Sequence, residues 1–338
     1  MATLLRKLLG ILIIAASFGG GWLLMDLQQY VHAPLPVEQP MLFTVEQGSS
    51  LIAIAGALQK EGVVEHPAYL LWYARWEGEA DRIKAGEYAL QPGMTPAQLL
   101  RQLVEGAVVQ YAVTIPEGWT FRQLLAALQG NEVLHHTLAG LDDAAIMARL
   151  GHPGEHPEGR FYPDTYFFPR GSSDLAVLTR AYEAMAQHLA EEWAQRDPGL
   201  PYRTPYEALI MASIIEKETA IPEERALIAG VFVRRLQKNM RLQTDPTVIY
   251  GLGQDFDGNL RRRDLKAASP YNTYLRRGLP PTPIALPGAE ALHAALHPAP
   301  GEALYFVARG DGSHYFSATI EEHNAAVRRY QLKRRAAP

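Results

Sequence analysis

One segment of the chain reads Met211-Ala-Ser-Ile-Ile-Glu-Lys-Glu-Thr219, an apolar helical run that ends in two carboxylates. A second segment, downstream of it, reads Arg241-Leu-Gln-Thr-Asp-Pro-Thr-Val-Ile-Tyr-Gly251. It is dense in hydrogen-bonding side chains and has little helical periodicity. Together the two segments predict an acid/base site that faces a polar cleft.

The two glutamates of the first segment, Glu216 and Glu218, cannot share one role. Because an α-helix turns about 100° per residue, positions i and i+2 point to nearly opposite sides, so only one of them can face a cleft. Glu218 lies on a stripe of bulky apolar residues at spacings of seven, four and three, which are Met211, Ile214 and Ile215. A carboxyl beside apolar groups loses hydration in its charged form, which raises its pKa. Glu218 is therefore the candidate general acid, and Glu216 is expected to be structural; the alternative is a solvated helix end paired with Arg or Lys.

The composition describes a globular protein and excludes several classes. At 338 residues with 48% hydrophobic content, the chain is long enough for two or three domains with real cores. A net charge of −4 argues against nucleic-acid binding, and no block of Lys and Arg interleaves with aromatics except the short tail Lys333-Arg334-Arg335. Cysteine is absent, which excludes disulfides, thiolate metal sites and cysteine nucleophiles.

Motifs for metal, nucleotide and serine chemistry are also missing. The sequence has no His-Glu-x-x-His, no phosphate-binding Gly-x-x-x-x-Gly-Lys and no Gly-x-Ser-x-Gly. Four histidines toward the C-terminus show no established metal-ligand spacing, namely His293, His297, His314 and His323. We therefore expect neither a metal site nor a cofactor.

The N-terminus predicts a membrane anchor. Arg6-Lys7 precedes an uncharged run of eighteen residues, Leu8 to Met25, which Asp26 closes. Positive charge before the run places the amino end in the cytoplasm and the rest of the chain outside the cytoplasmic (inner) membrane, in the periplasm or exterior. The alternative is a signal peptide cleaved near Ala15-Ala16-Ser17. The apolar run continues well past that position, which favours the uncleaved anchor.

A small α+β unit follows a Pro-rich segment, 26–40, that suits an extended stalk. The order predicted for it is strand, helix, helix, strand, at Phe43 to Val45, Leu51 to Gln59, Pro67 to Trp76 and Gly86 to Leu90. This βααβ order resembles the LysM module, a fold associated with binding N-acetylglucosamine-containing glycans. Such a module can bind glycan or serve as a spacer, and both readings stay open.

The phrase of strand, glycine turn and capped helix recurs along the chain. It is found at 44–50, 90–95 and 114–120, each time before a Leu- or Ala-rich helix. A linker-like stretch, 151–159, then precedes an aromatic cluster at 161–168 that could stack on sugars or pack a core. Further predicted elements are helices at about 174–195, 205–218, 222–238 and 320–333 and strands at 304–307 and 314–316.

Three separated motifs carry a family resemblance. They are Ala212 to Thr219, Arg241 to Gly251, and Tyr271-Asn-Thr-Tyr274 with Gly278-Leu-Pro-Pro281. Their order and content resemble the YceG-like family of endolytic murein transglycosylases, and the match runs from the membrane segment to the C-terminal helix. The family is anchored in the cytoplasmic membrane and cuts peptidoglycan glycan strands internally. The resemblance implies cleavage of MurNAc-GlcNAc bonds in nascent strands, with 1,6-anhydroMurNAc ends as products and strand elongation terminated.

The resemblance also implies an organisation and a set of roles. The expected fold class is α+β, with a cytoplasmic N-terminus (1–7), a transmembrane helix (8–25), a linker (26–40), a LysM-like βααβ module (41–106), a connecting α/β subdomain (107–158) and a mixed α/β catalytic domain (159–335). Glu218 matches the family's catalytic glutamate and would act first as acid and then as base. Substrate would be bound by Gln243, Thr244, Asp245, Thr247, Tyr250, Tyr271 and Asn272.

Partners and rival functions follow from the same resemblance. The substrate would be peptidoglycan glycan strands, and the partners would be the cell-wall synthases (penicillin-binding proteins) that polymerise them. Asp245 is a second carboxylate that could support hydrolysis instead, as in a muramidase. A rival of another class is a non-catalytic glycan-binding scaffold that recruits those synthases.

Overall fold

The computed structural model describes residues 2–332, so Met1 and the predicted basic run at 333–335 lie outside the described residues. Within that range the chain has mixed α+β structure with an apolar N-terminal helix. The helices are α1 (Ala2–His32), α2 (Leu51–Lys60), α3 (Pro67–Trp76), α4 (Pro96–Glu105), α5 (Phe121–Gln129), α6 (Asp143–Arg149), α7 (Asp174–Gln195), α8 (Pro205–Glu218), α9 (Pro222–Gln237), α10 (Asp245–Leu252), α11 (Ala289–Leu296) and α12 (Ile320–Val327). The strands are β1 (Met41–Val45), β2 (Gly86–Leu90), β3 (Gln110–Thr114), β4 (Thr165–Pro169), β5 (Tyr305–Ala308) and β6 (His314–Ser317).

The chain divides into two compact units. The first consists of Met1–Tyr111 with Phe168–Arg170, and the second of Ala112–Phe167 with Gly171–Pro338. In the first unit β1 pairs antiparallel with β2, and α2 and α3 lie between them in sequence. Alternation along β1 buries Phe43 and Val45, which join Leu58 and Tyr88 in one core. The predicted strand, helix, helix, strand order is therefore present.

Three helices begin with the same local chemistry, as the recurring phrase predicts. In each, a hydroxyl at the N-cap accepts a hydrogen bond from the amide three residues on, and these residues are Ser50, Thr95 and Thr120. A glycine two residues earlier has a positive φ of +80°, +83° or +75°, at Gly48, Gly93 and Gly118. Thr95 and Thr120 complete capping boxes with a glutamine at N3.

The predicted stalk at 26–40 is wrong, because this segment is folded. α1 continues to His32 instead of ending near Met25. Beyond it, Leu35 and Val37 are buried in the first core, and the Leu35 amide donates to the Met94 carbonyl at 2.7 Å. Proline content alone therefore does not predict an extended stalk. The apolar residues between the prolines pack into the core and hold the segment against the first unit.

α1 is long and apolar enough to cross a membrane. Within Arg6–His32 an 18-residue window has a mean hydropathy of 2.1, and no residue of that window is buried against the rest of the protein. Beyond the apolar run, Asp26 accepts a hydrogen bond from Tyr69 of α3, and the rings of Tyr30 and Tyr69 meet edge to face at 5.3 Å. The helix end is thus fixed to the first unit.

The second unit is built around α8. Every residue from Ala208 to Ile215 is buried, and α7, α9, α10 and α11 pack around the helix. Ala212 and Ser213 are as fully buried as Met211, so the helix has no single apolar stripe. The apolar stripe that the sequence analysis assigned to Glu218 alone is therefore not a distinct face, and both Glu216 and Glu218 emerge from a helix buried on all sides.

The linker predicted at 151–159 is also wrong at its end. Pro157, Glu158 and Gly159 are buried, and Glu158 is only 4% exposed. Gly159 has a φ of +80°, and a Cβ there would lie 2.4 Å from the Pro283 Cβ, so the position requires glycine. The aromatic cluster that follows packs: Phe161 is fully buried and stacks on Phe121.

The C-terminal part of the second unit is a hairpin and a helix. β5 and β6 pair antiparallel, with Tyr305 opposite Ser317 and Ala308 opposite His314. α12 begins at a capping box formed by Thr319 and ends at Val327, where a π-helical turn continues to Leu332. The single helix predicted from Ile320 to Lys333 is therefore split, and its last residue lies outside the described residues.

One buried carboxylate fixes the start of α7 and yields a stability prediction. Asp174, 1% exposed, accepts hydrogen bonds from the amides of Thr137, Leu138 and Leu175 and from the Thr137 hydroxyl. Burial opposes its charge, but these four bonds outweigh burial and lower its pKa. Stability from Asp174 is thus present above the unfolded-state pKa and is lost as pH falls through the folded one.

We expect Asp174→Asn to lower the free energy of unfolding by about 1–3 kcal/mol at pH 7, because an amide cannot accept all four bonds. The difference from wild type should shrink below about pH 4. Thermal melts over this pH range measure it, with the exposed Asp81→Asn as the matched control. Equal melting temperatures for the two variants at pH 7 would contradict the assignment.

Candidate active site

Glu218 is the last residue of α8, and its carboxylate turns toward the start of α10. Thr219 leaves the helix in extended backbone, so the chain does not cover the Glu218 side chain with a further turn. The Glu218 Oε2 accepts a hydrogen bond of 2.7 Å from the Thr244 hydroxyl. Thr244 is 1% exposed and is the N-cap residue of α10. Two segments distant in sequence therefore meet at one carboxyl group.

The surroundings of Glu218 keep it protonated at higher pH than an ordinary glutamate. Burial raises its pKa to about 7, and the negative charge of Asp245 acts in the same direction. The hydrogen bond from Thr244 lowers the pKa of Glu218, and the electrostatic contributions of His314 and Arg235 lower it as well. A carboxyl in this state can give and take a proton near neutral pH.

Glu216 has a different partner. Its Oε2 accepts a hydrogen bond of 3.1 Å from the amide of Gly288, the N-cap residue of α11, which has no side chain to cap the helix itself. Burial raises the pKa of Glu216 as well. The neighbouring Lys217 donates to the Gly118 carbonyl at 3.0 Å. The divergence of Glu216 and Glu218 agrees with the helix geometry, and Glu216 has the structural position expected of it.

Gln243 lies just before α10 in a strained backbone conformation. Its φ is +54°, which is uncommon for a residue with a side chain and occurs where surrounding contacts enforce it. Its amide donates to the Thr273 carbonyl at 3.2 Å, and its side-chain oxygen accepts from Arg235 at 3.4 Å. The side chain is otherwise exposed and available to a ligand.

Three threonines hold the start of α10. The Thr247 hydroxyl donates to the Thr244 carbonyl and lies 2.8 Å from the Thr273 hydroxyl, which also accepts from the Thr244 amide at 3.1 Å. Thr247 is fully buried. The expectation that Thr247 lines the cleft is wrong in this structure, because its hydroxyl is turned inward to fix Thr244.

Asp245 is exposed and follows Thr244 directly. Its Oδ1 accepts a hydrogen bond of 2.6 Å from the hydroxyl of Tyr274. The sequence analysis quoted Tyr274 in a motif but did not count it among the site residues. Its neighbour Asn272, which was counted, is fully buried and holds the loop by donating to the carbonyls of Leu265 and Ala267. Asn272 is thus placed inside the loop and not in a cleft wall.

Tyr250 and Tyr271 meet at the other end of α10, a helix of eight residues and therefore about 12 Å long. Their rings pack edge to face at 4.9 Å. The Tyr250 hydroxyl donates to the Glu158 Oε2 at 3.0 Å, and the Tyr271 hydroxyl lies 2.9 Å from that of Thr282. Both rings line a cavity of about 850 Å³ together with Glu158. Glu218 is not among the residues of that cavity.

Besides Tyr274, sequence reasoning missed Glu158, which lines the cavity beside Tyr250. Burial raises its pKa to about 7, against hydrogen bonds from the Phe121 amide and Tyr250 that lower it. It lies in the stretch read as a linker, where no periodic pattern marks burial. The predicted residues thus form two groups, one with Gln243, Thr244 and Asp245 near Glu218 and one with Tyr250 and Tyr271 at the cavity.

The environment of Glu218 predicts a pH-dependent cost in stability. Its folded-state pKa of about 7 lies above the ordinary value of 4.5, so the folded state favours the protonated form. Stability is therefore lost as pH rises from about 4.5 through about 7. We expect Glu218→Gln to melt at a higher temperature than wild type at pH 8 and at a similar temperature at pH 4.5. The exposed Glu183→Gln on α7 is the control, and a pH-independent difference for Glu218→Gln would refute the prediction.

The chain can now be compared with known proteins. A model of the YceG-like family matches residues 43–329. A protein of Bacillus subtilis named endolytic murein transglycosylase is 34% identical over 316 residues, 87% of each chain. A protein of the same name from Streptococcus pneumoniae is 30% identical over 84% of this chain, which spans 57% of that longer relative. A crystal structure from Listeria monocytogenes, described as that of a YceG-like protein, has a TM-score of 0.54 and 33% identity, covering 86% of this chain and 99% of the other. The family match over most of its length and the Bacillus relative show that this chain belongs to the YceG-like family.

Proposed function

We propose that this protein is an endolytic lytic transglycosylase that cleaves MurNAc-GlcNAc bonds within nascent peptidoglycan strands. The observation that carries the proposal is the partly buried carboxyl of Glu218, with a pKa raised to about 7 and one oxygen held by Thr244. The name shared by the relatives, endolytic murein transglycosylase, supports the same reaction. The products would carry 1,6-anhydroMurNAc ends, and cleavage would terminate strand elongation.

The reaction needs one group that is acid first and base afterwards. Protonated Glu218 gives its proton to the glycosidic oxygen, and the bond between that oxygen and C1 of the muramic residue breaks. The C6 hydroxyl of the same residue then attacks C1, and the Glu218 carboxylate takes the hydroxyl proton. Water is not consumed, and Glu218 ends protonated as it began. A pKa near neutrality lets one carboxyl perform both transfers.

Thr244 determines which oxygen of Glu218 acts. Its hydroxyl donates to Oε2, so the proton of the neutral acid resides on Oε1, which is the oxygen left to meet the substrate. Thr247 and Thr273 fix Thr244 from behind. We assign Gln243 and Asp245 to sugars next to Glu218, with Tyr274 orienting Asp245 through its hydroxyl. Tyr250 and Tyr271 would stack on sugars farther along the strand.

We also propose how the chain is placed in the cell. α1 would span the cytoplasmic membrane with residues 1–7 in the cytoplasm, because Arg6-Lys7 precedes the apolar run. The unit at 41–106 would be a LysM-like module, for which the β1-α2-α3-β2 order and the antiparallel pair of β1 and β2 are the support. Residues 107–158 would connect it to a catalytic domain that begins at 159. Penicillin-binding synthases would be the partners, since they make the strands that are cut.

The products distinguish the proposal from its rivals. We expect the protein, incubated with purified peptidoglycan, to release anhydro-ended fragments that mass spectrometry identifies. Glu218→Gln should reduce their yield by a factor of about 10² to 10⁴, as expected for removal of a general acid and base. Glu183→Gln serves as the control.

Two other outcomes would redirect the assignment. Fragments with hydrated reducing ends would indicate hydrolysis, in which case Asp245 is the second carboxylate to substitute. No fragments from wild type or variant would favour the non-catalytic scaffold. In that case Glu218→Gln and wild type should complement a strain that lacks the protein to the same extent.

The pH profile tests the link between Glu218 and Thr244. Because Glu218 must begin protonated, kcat/KM should fall as pH rises through about 7. Thr244 lowers the pKa of Glu218, so Thr244→Val should move this basic limb to higher pH. It should also lower kcat about three- to tenfold, as expected for a hydrogen bond worth about 1 kcal/mol. Thr179→Val on α7 is the control, and an unmoved basic limb in Thr244→Val would contradict the assigned contact.

A further inference from the structure

A cluster of metal-ligating side chains lies away from Glu218, where the end of α7 meets the end of α11. One ligand atom from each of Glu192, His293 and His297 lies within 4.8 Å of the others. The sequence analysis expected no metal site, because the four C-terminal histidines showed no established metal-ligand spacing. A separation of four residues places both imidazoles on one helix face, and the fold adds Glu192 from a helix far earlier in the chain.

The distances within the cluster suit a single ion. The Glu192 Oε2 lies 3.0 Å from the His293 Nδ1 and 3.9 Å from the His297 Nε2. In a tetrahedral zinc site with bonds of about 2.0–2.2 Å, ligand atoms are separated by roughly 3.4 Å. The two observed separations bracket this value, so small side-chain rotations suffice. The imidazole rings already stack, with centroids 4.4 Å apart.

A second carboxylate orients one imidazole, which is an independent sign of a built site. The His297 Nδ1 lies 3.0 Å from the Asp197 Oδ1, so a proton on Nδ1 leaves the Nε2 lone pair directed to the Glu192 side. Metal-bound histidines characteristically donate their other ring N–H to a carboxylate in this way. The backbone supports the arrangement, since the Asp197 amide donates to the Leu296 carbonyl at 3.0 Å and the His297 amide to the His293 carbonyl at 2.8 Å.

We propose that Glu192, His293 and His297 form a three-ligand site for a borderline transition-metal ion of the Zn²⁺ class, with Asp197 as a positioning residue. Imidazole and carboxylate oxygen are ligands that such ions accept, and three protein ligands leave one position for water. The His293 side chain is 61% exposed, and with Glu192 it borders a cavity of about 340 Å³, which gives an ion access from solvent. The carboxylates of Glu192 and Asp197 offset the charge of the ion.

The bound ion would join α7 to α11 and so stabilise the second unit. α11 packs against α8, and its N-terminus is held by Glu216, so the ion would stabilise a helix that supports α8. The inference does not depend on the transglycosylase proposal. The competing account is two separate ion pairs, His293 with Glu192 and His297 with Asp197, which predicts no stoichiometric metal binding.

The test uses the full-length chain in detergent, with an affinity tag that contains no histidine, after stripping by a chelator. We expect calorimetric titration with ZnCl₂ to give one ion per chain and elemental analysis after gel filtration to find the same ratio. His293→Ala and His297→Ala should each weaken binding at least about tenfold, and Asp197→Asn about 10- to 100-fold with unchanged stoichiometry. Replacement of the exposed His136 by Ala is the matched control and should bind as wild type.

A second readout separates loss of the site from loss of the fold. Relative to each protein's own melting temperature in chelator, Zn²⁺ should raise the melting temperature of wild type and His136→Ala but not that of His297→Ala, because only binding to the folded state stabilises it. Failure of wild type to bind Zn²⁺ would overturn the proposal. Equal affinity in wild type, His293→Ala and His297→Ala would overturn it too, since the ion would then bind elsewhere.

Discussion

Burial of α8 on every side is the constraint from which the site follows. A helix surrounded by protein must satisfy its polar groups internally, and it does so through residues that also build the site. Ser213 donates to the Ile210 carbonyl and accepts from the Ile284 amide, while Glu216 caps α11. Glu218 is left at the end of the helix, where water is scarce and its charge is costly. Its acid strength is thus a property of the whole helix environment and not of one neighbour.

The start of α10 is held as firmly as the end of α8, from a different direction. The buried Arg235 donates to the carbonyls of Leu242 and Leu304 and to the side chain of Gln243, so one guanidinium joins the residue before β5 to the loop before α10. Together with Thr273, these contacts enforce the positive φ of Gln243. The strained Gln243 directly precedes Thr244, whose hydroxyl donates to Glu218 at 2.7 Å.

Local features of the fold were accessible from sequence, and long-range ones were not. α7 and α8 have the predicted bounds because caps, prolines and periodicity are written in adjacent residues. Thr247 and Asn272 look like cleft residues in a polar segment, yet they bond to other polar residues of the protein, which no spacing rule reveals. Glu158 and the folded segment at 26–40 were misread for a related reason. Burial there is provided by partners distant in the chain.

The continuous path of α1 into the first unit has a mechanical consequence. A flexible linker between a bilayer and a folded unit would let the distance between them vary, because the end-to-end distance of such a linker fluctuates. A helix fastened at its end by Asp26 and Tyr30 to Tyr69 has a set length of about 1.5 Å per residue and resists bending. With α1 across a membrane, the first unit would stay at a constant distance from the lipid surface. Its remaining freedom of movement would be lateral diffusion in the plane of the membrane.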